Sequence, residues 1–215
     1  MQQILLYGDS LSWGIIPGTR QRLPFDQRWP GVLENALNAA GKRVRVVEDC
    51  LNGRRTVYED PFKPGRNGLI GLAQRMEVNS PLDLVILMLG TNDFQFSTPF
   101  TEAWSAAAGI TALVNEIRRA PIEPGMPVPA ILIVCPPKIG EPKGFIAPKF
   151  KGAAEKSQGL SDAYRELAAT LDCHFFDANT ATESSPEDGV HLNAPQHLAL
   201  GKAITQTVAD ILSAA

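Results

Sequence analysis

Short apolar runs alternate with longer amphipathic segments along the chain. Five apolar runs that end in a turn or a polar cluster predict strands, and they lie at 3–7, 43–48, 84–89, 130–135 and 173–176. Apolar residues at helical spacing predict helices at 29–39, 69–78, 99–119, 154–171 and 194–212. This alternation is typical of a parallel sheet with helices on both faces, so we predict an α/β fold.

Two long segments, 16–27 and 136–152, fit neither pattern, and both follow the carboxyl end of a predicted strand. Long loops at that edge of a parallel sheet are usually functional. The chain has 215 residues, of which 44% are hydrophobic, and a chain of this length can bury roughly 70% of its unfolded surface in one core. We therefore expect a single domain over residues 1–215.

Charge and cysteine content exclude several kinds of partner. A net charge of −3 with scattered lysines and arginines offers no broad basic face, so we expect no nucleic acid partner. No apolar run approaches the length of a membrane span, so we expect no membrane partner. Three widely separated cysteines suit neither a disulfide framework nor a zinc site. We interpret them as reduced thiols and expect a cytoplasmic protein.

The segment YGDSLSWG places Ser10 directly after the first predicted strand. On its own it is an ordinary turn in which a serine caps a helix. A nucleophilic serine needs a histidine as base and a third group that orients this histidine. Of the three histidines, His197 lies inside the last predicted helix and His174 begins the fifth strand, away from the strands' carboxyl ends. His191 is therefore the candidate base.

Asp188 precedes His191 by three residues in the loop EDGVHLN. Its carboxylate can accept the Nδ1 proton of His191 and leave Nε2 free to act as the base. Asp177, at the end of the fifth predicted strand, is an alternative orienting group. The sequence pattern alone leaves both carboxylates open.

Two further turn residues can stabilise the negative oxygen of a tetrahedral intermediate. Asn92 closes the third strand in MLGTND, and Gly53 follows the second strand in CLNGRRT, where no side chain blocks its backbone N–H. Each is equally plausible as an ordinary loop residue. If the strand order is 2-1-3-4-5, however, Ser10, Gly53, Asn92 and His191 share one edge of the sheet.

Four blocks of the sequence, GDSLS, LNGRRT, GTND and DGVHL, occur in this order, and together they resemble the SGNH (GDSL-type) hydrolase superfamily. The longer strings around them resemble its arylesterase and acyltransferase branch. The resemblance implies a flavodoxin-like three-layer α/β/α sandwich with a five-stranded parallel sheet. It also implies a catalytic triad of Ser10, His191 and Asp188, and an oxyanion hole formed by the backbone N–H groups of Ser10 and Gly53 and the side chain of Asn92.

We therefore expect a serine esterase that hydrolyses small short-chain or aryl carboxylic esters through an acyl-enzyme, with acyl transfer to alcohols that compete with water. We expect no metal or other cofactor, and the resemblance suggests a homo-oligomer. Apolar residues near the blocks or in the long loops are candidates for substrate binding, namely Trp13, Phe94, Phe145, Phe150 and Val190. The alternatives are a carbohydrate O-acetylesterase and, from a different class, a non-catalytic flavodoxin-like binding module.

Overall fold

Five parallel strands form the sheet at the centre of the protein. A computed structural model describes residues 1–98 and 101–214, and the strands lie in the order β2-β1-β3-β4-β5. Their bounds are β1 Gln2–Gly8, β2 Val44–Cys50, β3 Leu84–Met88, β4 Ala130–Cys135 and β5 His174–Asp177. The predicted α/β class and the five-stranded parallel sheet are confirmed.

Helices cover both faces of this sheet. Their bounds are α1 Ser10–Trp13, α2 Trp29–Ala39, α3 Leu72–Asn79, α4 Ala103–Arg119, α5 Ala153–Lys156, α6 Leu160–Thr170 and α7 Ala194–Ala214. Within residues 1–98 and 101–214, no helix combines the length and the apolar character that crossing a membrane requires.

Side chains of the central strand β1 alternate between two hydrophobic cores. Leu5 belongs to the core that packs against α3, α4 and α6, whereas Ile4 and Leu6 belong to the core that packs against α2 and α7. This alternation follows from the two-residue period of a strand. Each such buried aliphatic side chain contributes about 1.5–3 kcal/mol relative to an exposed one, so the sheet is stabilised from both faces.

The predicted helices differ in extent from the observed ones. The pattern at 154–171 is interrupted because Gly159 has a left-handed φ of 81° and separates α5 from α6. Of the predicted helix at 99–119, positions 99 and 100 lie outside the described residues, and α4 begins at Ala103. The four-residue helix α1, which carries Ser10, is too short to produce a periodic pattern in the sequence.

Gly109 allows α4 to pack closely against the loop that follows β2. A Cβ atom at this position would overlap the side chain of Thr56. Thr56 in turn donates from its backbone N–H and its hydroxyl to the carboxylate of Asp93, which follows β3. The packing of α4 therefore supports the contact between the loops that follow β2 and β3.

We expect Gly109→Ala to lower the free energy of unfolding by about 1–3 kcal/mol, because the added methyl group overpacks the contact with Thr56. Alanine is the better helix former by roughly 1 kcal/mol, so helix propensity alone predicts the opposite sign. Urea unfolding followed by circular dichroism measures the difference.

The neighbouring Ala108 supplies the control, because it is exposed on the same helix. Ala108→Gly changes helix propensity without a packing contact and should cost roughly 1 kcal/mol. A Gly109→Ala protein as stable as the wild type would contradict the packing argument.

Candidate active site

Ser10, His191 and Asp188 form a continuous hydrogen-bonded line. Ser10 is the first residue of α1, and its Oγ lies 3.1 Å from Nε2 of His191. Nδ1 of the same imidazole lies 2.7 Å from Oδ2 of Asp188. All three residues are buried, with 6%, 6% and 3% of their surfaces exposed, respectively. The structure thus brings together the three residues that the sequence analysis singled out as nucleophile, base and orienting group.

The loop that carries His191 also holds the carboxylate of Asp188 in place. Oδ1 accepts the backbone N–H groups of Val190 at 3.0 Å and of His191 at 2.9 Å, and Oδ2 accepts that of Gly18 at 3.3 Å. Burial raises the pKa of Asp188, but the His191 side chain and the backbone amides of Val190 and His191 outweigh it and lower the pKa to about 2. An ionised carboxylate favours the tautomer with a proton on Nδ1, so Nε2 can accept the proton of Ser10.

The other carboxylate and the other histidines have different partners. Asp177 accepts hydrogen bonds from the Ser161 hydroxyl and from both nitrogens of Asn179, so it caps a turn and does not bond to His191. His174 begins β5 and is exposed. His197 is buried in α7, where its Nδ1 accepts the backbone N–H of Trp29 at 3.3 Å, and burial lowers its pKa to about 3.

Two backbone N–H groups near the end of β1 are available as donors. Ser10 occupies the first position of α1, where a helix offers no acceptor for its N–H. Gly53 has a left-handed φ of 85°, a conformation that glycine adopts without strain. The loop of Gly53 is held at the end of β1, because Gly8 accepts the N–H of Leu51 and a guanidinium N–H of Arg54, each at 3.0 Å.

Asn92 lies in a short 3₁₀ helix, Thr91–Phe94, that follows β3. Its side-chain Nδ2 donates to Oδ2 of Asp9 at 2.7 Å, and Asp9 immediately precedes Ser10. The other oxygen of Asp9 accepts the N–H of Leu11 and caps α1. One carboxylate therefore connects the start of the serine helix to the Asn92 amide, whose second N–H remains available to a ligand.

Gln95 and Arg55 complete a chain of hydrogen bonds behind Asn92. The amide nitrogen of Gln95 donates to Oδ1 of Asn92, and Oε1 of Gln95 accepts from Nη2 of Arg55 at 2.9 Å. Arg55 also faces Asp60, with a separation of 3.5 Å between Nη2 and Oδ2. The Asn92 amide is consequently fixed at both ends, with its oxygen toward Gln95 and its nitrogen toward Asp9.

Two buried carboxyl groups behind the site have raised pKa values. Burial raises the pKa of Asp9 to about 6, against the opposing effects of the Leu11 amide, His191 and Asn92. Burial likewise raises the pKa of Asp93 to about 7, although both donors of Thr56 point at its carboxylate. Asp93 is held by the loop after β2, so it connects that loop to the Asn92 turn.

The sequence analysis missed Asp9, Gln95 and Arg55, although a signal was present. Asp9 and Asp93 are the acidic letters of GDS and GTND, and Arg55 lies two positions after Gly53. The chemistry of ester hydrolysis directs attention to the groups that would face the ester. It does not indicate Asp9, Gln95 and Arg55, which hold Asn92 from behind through hydrogen bonds.

The five candidates for substrate binding occupy different environments. Trp13 is half-buried, and the Arg22 guanidinium stacks on its ring at 4.7 Å. Phe94, Phe150 and Val190 are buried in the core that packs against α3, α4 and α6. Phe145 is 57% exposed on the loop after β4. Substrate binding by these five residues stays a prediction.

A cavity of about 580 Å³ opens at the carboxyl ends of β4 and β5. Thr91 and Phe94, on either side of Asn92, line it together with Asp177, but neither Ser10 nor His191 does. The Ser161 hydroxyl in this lining donates to the Asp177 carboxylate, but no histidine lines the cavity, so it lacks the pairing of a hydroxyl with an imidazole that is present at Ser10. Within the described part of the chain, no three His, Cys, Asp or Glu side chains are grouped as metal ligands would be.

Two solved structures are similar to this protein over nearly its whole length. A carbohydrate acetylesterase family member from Sinorhizobium meliloti is 38% identical and superposes with a TM-score of 0.92. The alignment covers 99% of this chain and 100% of that chain. The inhibitor-bound aryl esterase of M. smegmatis is 32% identical and superposes with a TM-score of 0.92. The alignment covers 98% of this chain and 100% of that chain.

An arylesterase of Vibrio mimicus is 34% identical over 92 residues. That match covers 43% of this chain and 38% of the arylesterase, so it spans less than half of either protein. Residues 6–199 match the GDSL-like lipase/acylhydrolase family. The chain therefore belongs to the GDSL-like lipase/acylhydrolase family, as its four sequence blocks predicted.

Proposed function

We propose that the protein is a serine esterase that hydrolyses small short-chain or aryl carboxylic esters through an acyl-enzyme. The observation that carries this proposal is the line of hydrogen bonds from Asp188 through His191 to Ser10. Membership of an acylhydrolase family supports it. A non-catalytic binding module has no need of a buried carboxylate that orients an imidazole toward a hydroxyl.

In the first half of the reaction, Nε2 of His191 takes the proton of Ser10 while Oγ attacks the ester carbonyl carbon. The carbonyl oxygen becomes an oxyanion, which accepts hydrogen bonds from the N–H groups of Ser10 and Gly53 and from Nδ2 of Asn92. Asp188 stabilises the imidazolium that forms. The intermediate then expels the alcohol, whose oxygen receives the proton from His191, and the acyl group remains on Ser10.

In the second half, His191 takes a proton from water as the water oxygen attacks the acyl-enzyme carbonyl. A second tetrahedral intermediate uses the same donors, and its collapse returns the proton to Ser10 and releases the carboxylic acid. An alcohol in place of water gives a new ester by the same steps. Acyl transfer to alcohols is therefore part of the proposal.

A carbohydrate O-acetylesterase is the second candidate function. The similarity to a carbohydrate acetylesterase family member over 99% of this chain favours it, and it uses the same chemistry on a sugar ester. The similarity to an aryl esterase supports the first candidate. Rates on phenyl acetate and on a peracetylated sugar distinguish the two candidates.

We further propose a single cytoplasmic domain that assembles into a homo-oligomer. The two cores share one sheet, and all three cysteines are unpaired, as expected in a reducing compartment. Exposed phenylalanines at 62, 96 and 145 lie on loops that contact one another, since Phe96 N–H donates to Lys149 and Lys149 pairs with Asp60. Neighbouring exposed aromatics are typical of a protein contact.

We expect Ser10→Ala to lower kcat for p-nitrophenyl acetate by at least about 10³-fold, because no other group supplies the attacking oxygen. Ser12→Ala is the matched control. Ser12 lies in the same four-residue helix, and its hydroxyl contacts Met88 Sδ at 3.8 Å, so that variant should keep its activity. Spectrophotometric release of p-nitrophenol from the purified proteins measures both. A Ser10→Ala protein with near wild-type turnover would refute the assignment.

We expect Gln95→Glu to lower kcat by about 10–10²-fold with little change in KM. A glutamate keeps the oxygen that accepts from Arg55. Its second oxygen replaces the Gln95 nitrogen that donates to Oδ1 of Asn92. Because two oxygens repel each other, the Asn92 amide should be displaced. Loss of a whole oxyanion donor costs about 10²–10³-fold, so a displaced donor should cost less. Steady-state kinetics and thermal melting separate this effect from unfolding.

A double-mutant cycle identifies the route of the Gln95 effect. If Gln95 acts through Asn92, Gln95→Glu should cause no further loss of kcat in an Asn92→Ala protein. An equal loss in both backgrounds would mean that Gln95 affects the enzyme by another route.

We expect the acyl-enzyme to partition between water and an added alcohol. With p-nitrophenyl acetate and a few per cent of benzyl alcohol in buffer, chromatography should detect benzyl acetate that depends on Ser10. Acetate as the sole acyl product would remove acyl transfer from the proposal.

A further inference from the structure

Basic side chains from three loops gather at the edge of the sheet that carries Ser10. They are Arg20 from the loop after β1, Lys63 and Arg66 from the loop after β2, and Lys149 from the loop after β4. The whole chain carries a net charge of −3, so this group differs in sign from the protein as a whole. We refer to these four residues as the basic cluster.

Arg66 places the basic cluster beside one of the proposed oxyanion donors. Its Nε donates to the backbone carbonyl of Asn52 at 3.1 Å, the residue before Gly53. The same Nε lies 3.9 Å from the point where a Cβ of residue 53 would stand. The Arg66 side chain is half-buried and has no carboxylate within ion-pair distance among the described residues.

Asp60 connects the loops of Lys63 and Lys149. Its backbone carbonyl accepts the N–H of Lys63 at 3.2 Å, and its Oδ2 lies 3.6 Å from Nζ of Lys149 and 3.5 Å from Nη2 of Arg55. One carboxylate therefore faces two cations. The neighbouring carboxylate of Glu59 is engaged by the backbone N–H groups of Asp60 and Arg66, so positive charge remains in excess.

Arg20 belongs to the loop that contacts Asp188. Two positions earlier, the N–H of Gly18 donates to Oδ2 of Asp188 at 3.3 Å, which holds this loop against the catalytic line. Burial and the charges of Arg66, Arg20 and Lys149 lower the pKa of Lys63. Two of the loops that carry the basic cluster are thus held beside the site, one by the bond from Gly18 to Asp188 and the other by the bond from Arg66 to Asn52, and Asp60 joins Lys149 to the second.

We infer that the substrates of this enzyme are esters that carry a carboxylate on their acyl or alcohol part. The inference rests on the proposed function and adds the charge of the substrate to it. Cations at the mouth of a site raise the local concentration of an anionic substrate and its rate of association. The effect is strong at low salt and weak once the Debye length falls to a few ångströms. A neutral aryl acetate gains nothing from the basic cluster.

Matched pairs of esters test the inference. The alcohol-side pair is 4-acetoxybenzoate and 4-acetoxybenzamide, and the acyl-side pair is mono-4-nitrophenyl succinate and its neutral methyl ester. Each kcat/KM is divided by the rate constant for hydrolysis of the same ester by hydroxide, which corrects for the intrinsic reactivity of the ester. We expect this ratio to be at least about 10-fold higher for the anionic member of one or both pairs at low ionic strength. The preference should shrink at 0.5 M salt.

The double variant Lys63→Gln/Lys149→Gln removes two of the four charges without touching the groups assigned to catalysis. We expect it to lower kcat/KM for the preferred anionic ester about 5-fold or more and to leave the neutral ester unchanged. Lys202→Gln, at an exposed position on α7, is the control for a change of net charge and should have no effect on either ester.

The outcomes separate the inference from the proposed function. Hydrolysis of all four esters without preference for the anionic members would overturn the inference alone, as would an equal loss on both members in the double variant. No hydrolysis of any of the esters would overturn the proposed function and the inference with it.

Discussion

The parallel register of the sheet is the constraint on which the site depends. Gly8, the last residue of β1, pairs with Cys50 of β2 and with Met88 of β3, so three strands end at one level. The turns that follow these strands meet at the carboxyl edge because parallel strands point the same way. Ser10, Gly53 and Asn92 are therefore brought together by backbone pairing, whereas the loop of His191 reaches them from a distant part of the chain.

The polar groups behind this edge are buried, and their pairing explains why the arrangement persists. An unpaired ionisable group in the core would cost several kcal/mol, yet Asp9, Arg55 and Asp93 each have several partners. These partners hold the Asn92 side chain and the start of α1 in fixed positions, which is what the proposed oxyanion hole requires of its donors. The same pairing ties the loops after β1, β2 and β3 into one unit.

The sequence predicted the sheet and the family because both leave strong local signals. The central strands are apolar on both faces, and the four blocks that carry Ser10, Gly53, Asn92 and His191 are short recognisable strings. The roles assigned to the site residues, the single domain and the oligomer stay predictions. Helix breaks were harder to predict, since Gly159 interrupts a pattern that periodicity alone carries through.

The residues that contact Asn92 from behind could not be predicted from the sequence, for a physical reason. Gln95 and Arg55 are forty positions apart in the chain, and only the fold makes them neighbours. The packing of the aromatic residues predicted to bind substrate was also beyond the sequence. Phe94 follows Asn92 by two positions and Phe150 lies in the long loop after β4, but an apolar side chain packs wherever a core is available, and both belong to the core that packs against α4 and α6.

The raised pKa values of the Asp9 and Asp93 carboxyl groups make the stability of the folded protein depend on pH. Their pKa values in the folded state, about 6 and about 7, lie above the ordinary value of 3.8. The folded state therefore binds their protons more tightly than the unfolded chain, and this stabilisation is complete below pH 4 and is lost as the pH rises through 6 and 7. His197 has the opposite effect, because burial lowers its pKa from 6.5 to about 3, and the stability that its neutral form provides is lost as the pH falls below about 6.5. The buried carboxyl groups and the buried histidine therefore oppose one another, and the stability of the fold changes less between pH 4 and pH 7 than the two carboxyl groups alone would make it change.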